Sequence, residues 1–508
     1  MARFRPAALC RYGNGIILVL LAFYFFLIPF GILVVSLHDH ALRDSGIPRV
    51  AVRLHRSLSP RYERWARKRI ESGAAAKLTI DEISATEWPL FGSVFYLWAT
   101  ESLQEAWEKD HGLSSMAPRE YARGAIEAAA ALITDPGHAS WVKDHWGEEY
   151  LHCENVFYRM LLIGGLTSYE KLMGDGKYLG VLRGQVDTLS EELDASPYGL
   201  LDDYPGECYP TDVLVAVAII QRADEVLGTD HSAFVGRSLR AFQGDLLDAT
   251  GLPPYAANSK NGAILVGARG CGNSYMLTWA PGLWQDKAKE WYADYEKHFW
   301  QRRWGAVGFR EFPKNTLGGE WYFDVDAGPV VAGHGVAATA FGIGAARANG
   351  RFDHAYPMSA EAIVASWPLP DGTLLGARVL SNMADAPFIG ETALLFNFTR
   401  TPAEGFAVKK GGRLPVLVYC ALAFYFGIGA LLVVGTVLGL RRWRKRYSTK
   451  PIPWGEIQLS AWGVLVAAGI VIGAAYNLLL GVLFLLLARI FPKGEKKLAA
   501  RFGEQDAS

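Results

Sequence analysis

The sequence has little cysteine, five in 508 residues, which excludes a disulfide-stapled scaffold and a cysteine-rich zinc module. It has no net charge, with 51 basic residues against 51 acidic. A protein that coats nucleic acid carries a basic excess, so nucleic acid is not expected as a partner. CxxC, HExxH and histidine clusters at zinc spacing are all missing, and no dedicated metal site is expected. There is no G-x-S-x-G nucleophile elbow and no Walker or dinucleotide fingerprint. No repeat at solenoid spacing stands out. What the chain does have is apolar sequence: 51% hydrophobic residues, with 16 Trp, 22 Tyr and 25 Phe, too much for a disordered polymer.

Three uncharged runs take most of that excess: Ile16 to Leu37, Leu414 to Leu440 and Leu459 to Ala488. The first has about the length a bilayer core requires, and no small-residue cleavage site follows it, so it reads as an uncleaved anchor. Arg3, Arg5 and Arg11 precede it, and Arg441, Arg442, Arg444, Lys445, Arg446 and Lys450 follow the second run. The positive-inside bias puts both clusters in the cytoplasm and the chain between them outside. The third run is too long for one upright helix and too short for two spans. Tilt, or a re-entrant hairpin near Tyr476-Asn477, would accommodate it. Gly469 and Gly473 make a small-xxx-small pair suited to packing on another span. The expected order is a tail and anchor (1–40), an outward domain (41–412), a second span (413–440), a basic loop (441–457), a third membrane segment (458–491) and a polar tail (492–508). That describes a multi-pass cell-membrane protein with the lipid bilayer as partner and its large domain on the extracytoplasmic side.

The outward domain is a succession of helical patterns separated by Gly, Pro and Asp. The spacing predicts helices over Phe91–Asp110, Arg119–Ile133, Glu148–Met173, Asp212–Leu227, Ser232–Leu247, Leu283–Trp300, Val331–Ala348 and Ser359–Ser366. Short strands are expected at Ala306–Phe312 and Trp321–Val325. The fold class is mainly α, and some ten to twelve helices with long aromatic connections fit an (α/α) toroid. An irregular helical bundle is the alternative.

Four segments break the pattern of apolar helices with polar faces. In the first, His152-Cys153-Glu154-Asn155 leads to Tyr158, and a helix would put Glu154, Asn155 and Tyr158 on one face. The second is Asp202-Asp203-Tyr204-Pro205-Gly206-Glu207-Cys208-Tyr209-Pro210-Thr211-Asp212, four carboxylates and a thiol before a helix. A helix N-terminus lowers a nearby thiol pKa, and capping is the ordinary role for Thr211 or Asp212. The third, Gly267 to Ser274 with Arg269, Cys271 and Asn273, reads as a tight turn, with an anion cradle as the other option. In the fourth, Trp321 precedes Asp324 and Asp326, which an extended chain would point to one side. Such a pair holds one carboxyl protonated. His334 follows as a candidate proton carrier.

In this order, a polar helix HCENVFYRMLLIGGLTSYEKLMGDGKY, a Cys-containing loop GECYPTDVLVAVAII and a small-residue turn resemble the linalool dehydratase-isomerase family. The resemblance covers most of residues 85 to 400 and none of the apolar runs. It implies an (α/α) toroid that adds or removes water on a terpene alcohol and moves its hydroxyl, with no metal or organic cofactor. Cys208 matches the first family cysteine and Asp212 the acidic residue after it, while His152 to Tyr158 matches the histidine-bearing helix approximately. A second family cysteine is replaced here by Val217, and Cys271 is the candidate to supply a second thiol from elsewhere in the chain. The implied catalytic set is Cys208, Asp212, Glu154, Asp326, His152 and Tyr158. Cys153, Asn155, Tyr209, Cys271, Asn273, Trp321, Asp324 and His334 would contact a small apolar alcohol. Two other readings stay open. Thirteen Trp between Trp65 and Trp367, with Glu154, Asp324 and Asp326, suit a glycan-acting toroid. A non-enzymatic anchored binding module is the third, and a homo-oligomer is compatible with all of them.

Overall fold

The computed structural model describes residues 6–78, 82–447, 454–475, 481–482, 484–486 and 488. The chain is mainly helical, 65% helix and 7% strand. It divides into two compact units, Ser36–Ala365 with Leu380–Val418, and Met1–Val35 with Ser366–Val379 and Tyr419–Ser508. The boundaries read from the sequence place 366–379 in the outward domain; the structure groups it with the apolar helices instead.

Six of the mostly buried helices of the larger unit form a closed cycle of contacts: Ile83–Lys109, Val156–Met173, Pro210–Leu227, Gly270–Leu277, Val336–Ala348 and Ile389–Phe398. Each packs on the next in this order, and the last packs back on the first. A helix apolar on every side belongs in a core, and in Val156–Met173 every residue except Lys171 and Met173 is buried. Glycine lets these helices approach closely. A Cβ on Gly164 would sit 2.7 Å from the Trp98 ring, and the Trp98 indole donates to the Gly164 carbonyl at 3.2 Å. Outside this cycle, Arg49–Ser72 is amphipathic. Its Tyr62 donates to Ser93 (2.6 Å), and His55 bonds Thr100 (2.8 Å), so its buried face is both ring-packed and hydrogen-bonded to Ile83–Lys109.

Several expected elements shift. The helix predicted from Glu148 begins at Val156, because Asn155 adopts a left-handed backbone (φ 47°) that no helix interior tolerates. Residues 149–155 are turns, held by the fully buried Arg159. Its guanidinium donates to the Cys153 and Glu154 carbonyls and to Gln185, Thr188 and Glu192. Glu154 and Tyr158 therefore share no helix face. The stretch from Ser232 stays α-helical only to Ser238, followed by 3-10 turns around the left-handed Gly244. The helix expected from Val331 starts at Val336, since Gly328–Val331 is a strand between Trp321–Asp324 and His334–Gly335. Ala306–Phe309 pairs with Trp300–Arg303.

Among the described residues two stretches are long and apolar enough to cross a membrane, Tyr12–Leu37 and Val416–Arg444; both lie mostly in the smaller unit, the first ending and the second starting in the larger one. They run antiparallel: Tyr12 meets Trp443 at 6.1 Å between ring centres, and Phe30 meets Phe426 at 5.4 Å. Gly15 lies under Leu440 and Gly429 under Leu27, where added Cβ atoms would come within 2.9 and 2.6 Å. A π-helical turn at Phe23–Leu27 leaves the Phe25 carbonyl to accept from the Trp367 indole at 2.7 Å. Gly469 faces Leu485 and the Gly481 carbonyl, so the small-residue pair packs on its own return segment. Tyr476-Asn477, the expected point of reversal, lies outside the described residues.

Replacing Arg159 by Met leaves Gln185 and the part-buried Glu192, Cys153 and Glu154 acceptors without their donor, a loss of about 1–3 kcal/mol. Thermal unfolding followed by circular dichroism should show a marked drop in Tm; an unchanged Tm would mean that the 149–155 turns do not depend on this side chain.

Candidate functional site

Three of the six core helices bring a reactive side chain in their first or second turn: Glu87 on Ile83–Lys109, Asp212 on Pro210–Leu227 and Cys271 on Gly270–Leu277. The loops 201–209 and 253–257 and the hairpin 321–331 meet them there. Helix N-termini stabilise carboxylates, yet these carboxyls are pushed the other way. Burial raises Glu87 to about 7, opposed by a hydrogen bond from Tyr204 (2.6 Å) and reinforced by the charges of Asp326, Asp212 and Glu207. Burial, and then Asp326, raises Asp212 to about 7. Asp326 reaches the surface as a residue, but its carboxyl sits beneath the Tyr255 hydroxyl, which donates to it. Desolvation by the surrounding protein raises it too. Desolvation and like-charge proximity outweigh the helix ends, so the three acids repel ionisation together.

Each acid stands beside a phenol. Tyr204 serves Glu87 and Tyr255 serves Asp326. The third, Tyr275, has a buried hydroxyl with no partner among the described residues, and Asp212 is the charge that bears on it. Its ring lies against Phe341 (5.3 Å) and Phe91 (6.2 Å), and Phe91 in turn meets Phe157 at 5.0 Å. The acids thus border an aromatic wall.

The hub on the opposite side is Arg269. It donates through Nε to Glu311 (2.7 Å) and through Nη2 to Asp324 (2.7 Å), with its guanidinium 4.4 Å from the Tyr255 ring centre. Glu311 also accepts from the Cys271 backbone N–H (3.2 Å) and thiol (3.0 Å). The Gly267–Ser274 segment is therefore a helix start rather than a tight turn, and Glu311 occupies the anion position at its N-terminus. Its glycines serve close approach: a Cβ on Gly270 would strike the Arg310 carbonyl at 2.0 Å, and one on Gly272 would crowd Thr211 at 2.7 Å.

The structure gathers Asp212, Asp326, Cys271 and Tyr209, the last with its ring tilted against that of Tyr255 at 5.2 Å. Cys208 adjoins them, buried, with its carbonyl accepting from Ala257 (3.0 Å). Its thiol is not activated as the helix-start argument anticipates. Burial and then Asp203 push it well above the ordinary thiol range, and burial does the same to Cys271. Asp212 is no capping residue, since the cap position falls on Tyr209. Asp324 and Asp326 do not act as a pair. A turn separates them, sending Asp324 to Arg269 and the Ala327 N–H, and Asp326 to Tyr255.

Other candidates lie elsewhere or serve the framework. Glu154 accepts from the Asp202 N–H (2.7 Å) at the edge of the cluster. His152 is exposed and Cys153 half-buried in the turns. Asn155 donates to the Tyr150 carbonyl (2.8 Å), and Tyr158 points away, donating to the Ile133 carbonyl (3.2 Å). Asn273 ties the Pro253 and Arg269 carbonyls. His334 sits among Arg303, Arg310 and Glu320, and Trp321 is exposed. Sequence reasoning missed Glu87, Tyr204, Tyr255, Tyr275 and Glu311 as site residues. For Glu87 a signal existed: a lone acid one turn into a long apolar helix, beside Pro89. Among the described residues no group of three or more His, Cys, Asp or Glu is placed to hold a metal ion. A shallow depression of about 510 Å³ lined by Glu170, Lys171, Asp175 and Glu225 lies at the opposite, C-terminal ends of Val156–Met173 and Pro210–Leu227. No family model matches the chain, and no curated protein matches it either.

Glu87 titrates near 7 when folded against an ordinary 4.5. The folded state therefore holds a proton that the unfolded chain releases, and stability falls as pH rises from about 4 to 7 and then levels. Glu87→Gln removes this penalty. The variant should gain up to about 3 kcal/mol at pH 8.5 and nothing at pH 4, read from melting temperatures. An equal change at both pH values would show that Glu87 ionises normally.

Proposed function

We propose that the larger unit is an (α/α) toroid and that the chain is a membrane-anchored hydro-lyase or isomerase of the linalool dehydratase-isomerase kind. The observation that carries this reading is the group of Glu87, Asp212 and Asp326, gathered beside phenols and an aromatic wall, where burial raises Glu87 and Asp212 to about 7 and shifts Asp326 upward as well. The cyclic packing order of the six core helices supports the toroid, with the acids gathered at the helix N-termini at one end of it. The two long apolar stretches support a bilayer anchor, with the basic loop on the cytoplasmic side and the toroid outside.

Where coupled acids titrate near neutral pH, one carries a proton while its neighbour is ionised. The protonated member delivers its proton to the substrate hydroxyl, the C–O bond breaks, and water leaves with the bonding pair. The ionised member removes a proton from the adjacent carbon, whose C–H pair becomes the double bond. Alcohol becomes alkene and water, and a proton passed back between the acids resets them. Aromatic faces shelter the cationic transition state. Val217, at the place of the missing family cysteine, is wholly buried, whereas Cys271 supplies a thiol beside Asp326 and Tyr255. Both thiols act neutral, as hydrogen-bond donors. Of the tryptophans that suit the glycan reading, Trp98, Trp141, Trp279, Trp284 and Trp291 are core side chains, while Trp304 and Trp321 are exposed.

The full chain in lipid nanodiscs, offered tertiary and allylic apolar alcohols, should release alkene with a pH optimum near neutrality. Asp212→Asn and Glu87→Gln should each lower kcat by about 10²–10⁴-fold. Wild-type turnover in Asp326→Asn and Cys208→Ala would refute the assignment.

A further inference from the structure

The hairpin that carries Asp326 has a second face. On one face Tyr322, itself part-exposed, lays its ring against Phe312 at 5.0 Å and beside the Arg269 guanidinium. Trp321 and Phe323, on the other face, are 63% and 73% exposed, and Val331, the cross-strand partner of Trp321, is exposed with them. Trp304, 69% exposed, extends the patch, with its ring centre 6.1 Å from that of Trp321. Large aromatic side chains clustered on a free sheet face mark a contact surface.

The identity of the contact follows from what borders it. Trp304 and Gly305 form the turn of the Trp300–Arg303/Ala306–Phe309 hairpin, and the Gly305 carbonyl accepts from the Leu417 N–H at 3.0 Å. A Cβ on Gly305 would lie 3.2 Å from Val416. Val416 and Leu417, themselves exposed, are the first residues of the apolar helix Val416–Arg444. The patch is therefore continuous with the point where that helix begins. Tryptophans gather at the level of lipid headgroups, where one end of the ring is wet and the other apolar. Arg302, exposed beside Trp304, supplies a cationic flank that headgroup phosphates favour, while Arg303 is paired with Glu320.

We infer that Trp304, Trp321, Phe323 and Val331, with Val416 and Leu417, form a lipid-docking surface that seats the rim of the acid cluster on the outer leaflet. This rests on the proposed reading of Val416–Arg444 as a bilayer span. The occupant is phospholipid rather than a second copy or another protein.

The test uses the full chain in phosphatidylcholine nanodiscs whose acyl chains are brominated close to the headgroup, so that bromine quenches tryptophans at that depth. The Trp304→Phe/Trp321→Phe double variant should lose a clear part of the quenched fluorescence, Trp443→Phe should lose part as well, and Trp107→Phe should lose none. Loss in Trp443→Phe without loss in the double variant would leave the span standing and overturn the docking surface. No loss in either would remove both. A double variant that instead changes the number of chains per disc, with no change in quenching, would assign the patch to a second copy.

Discussion

A guanidinium buried between two carboxylates holds this site together. Arg269 bonds Glu311 and Asp324 with its guanidinium carbon over the Tyr255 ring. Taking three charges out of water is costly, and the geometry offsets it only because each oxygen finds a donor. Glu311 fixes the start of the Gly270–Leu277 helix and the Cys271 thiol. Asp324 fixes the hairpin, and Tyr255 fixes Asp326. The elements that carry Cys271, Asp324 and Asp326 are thus tied, directly or at one remove, to Arg269. Without it the hairpin and the loop around Tyr255 would have no common anchor.

Around that anchor the chemistry is set by desolvation more than by partners. Glu87, Asp212 and Asp326 have no cation of their own at hydrogen-bond distance among the described residues, only phenols and one another. The cation nearest to them is already committed to Glu311 and Asp324. A cluster arranged so favours exchange of protons over fixed charge, the property that acid–base chemistry on a neutral alcohol requires. The same crowding keeps both buried thiols uncharged. Cysteine here serves shape and hydrogen bonding, and no thiolate attack is built into the arrangement.

Much of the framework was legible from the residues. The helical class, two of the short strands and the long apolar runs all follow from periodicity and charge. Cys208, Asp212, Asp326 and Cys271, drawn from three separate segments, do come together. What failed did so for identifiable reasons. Asn155 can adopt a left-handed turn that other residues resist, so a polar stretch with helical spacing became turns and took His152, Glu154 and Tyr158 out of register. A turn between Asp324 and Asp326 broke the alternation that would have paired them. Glu87 was hidden because its environment comes from loops more than a hundred residues away, and periodicity within Ile83–Lys109 says nothing of Tyr204. Glycines that read as a turn proved to be clearance for Arg310 and Thr211, a tertiary demand invisible in a local window.

The unequal burial of the three thiols has a practical corollary. Cys208 and Cys271 are sealed within the protein, whereas Cys153 lies half-open in the turns stapled by Arg159. In an oxidising compartment, peroxide or a maleimide reagent would meet Cys153 first among these three and leave the acid cluster untouched. A fluorophore placed there would ride on the loop beside the site and report its opening without occupying it.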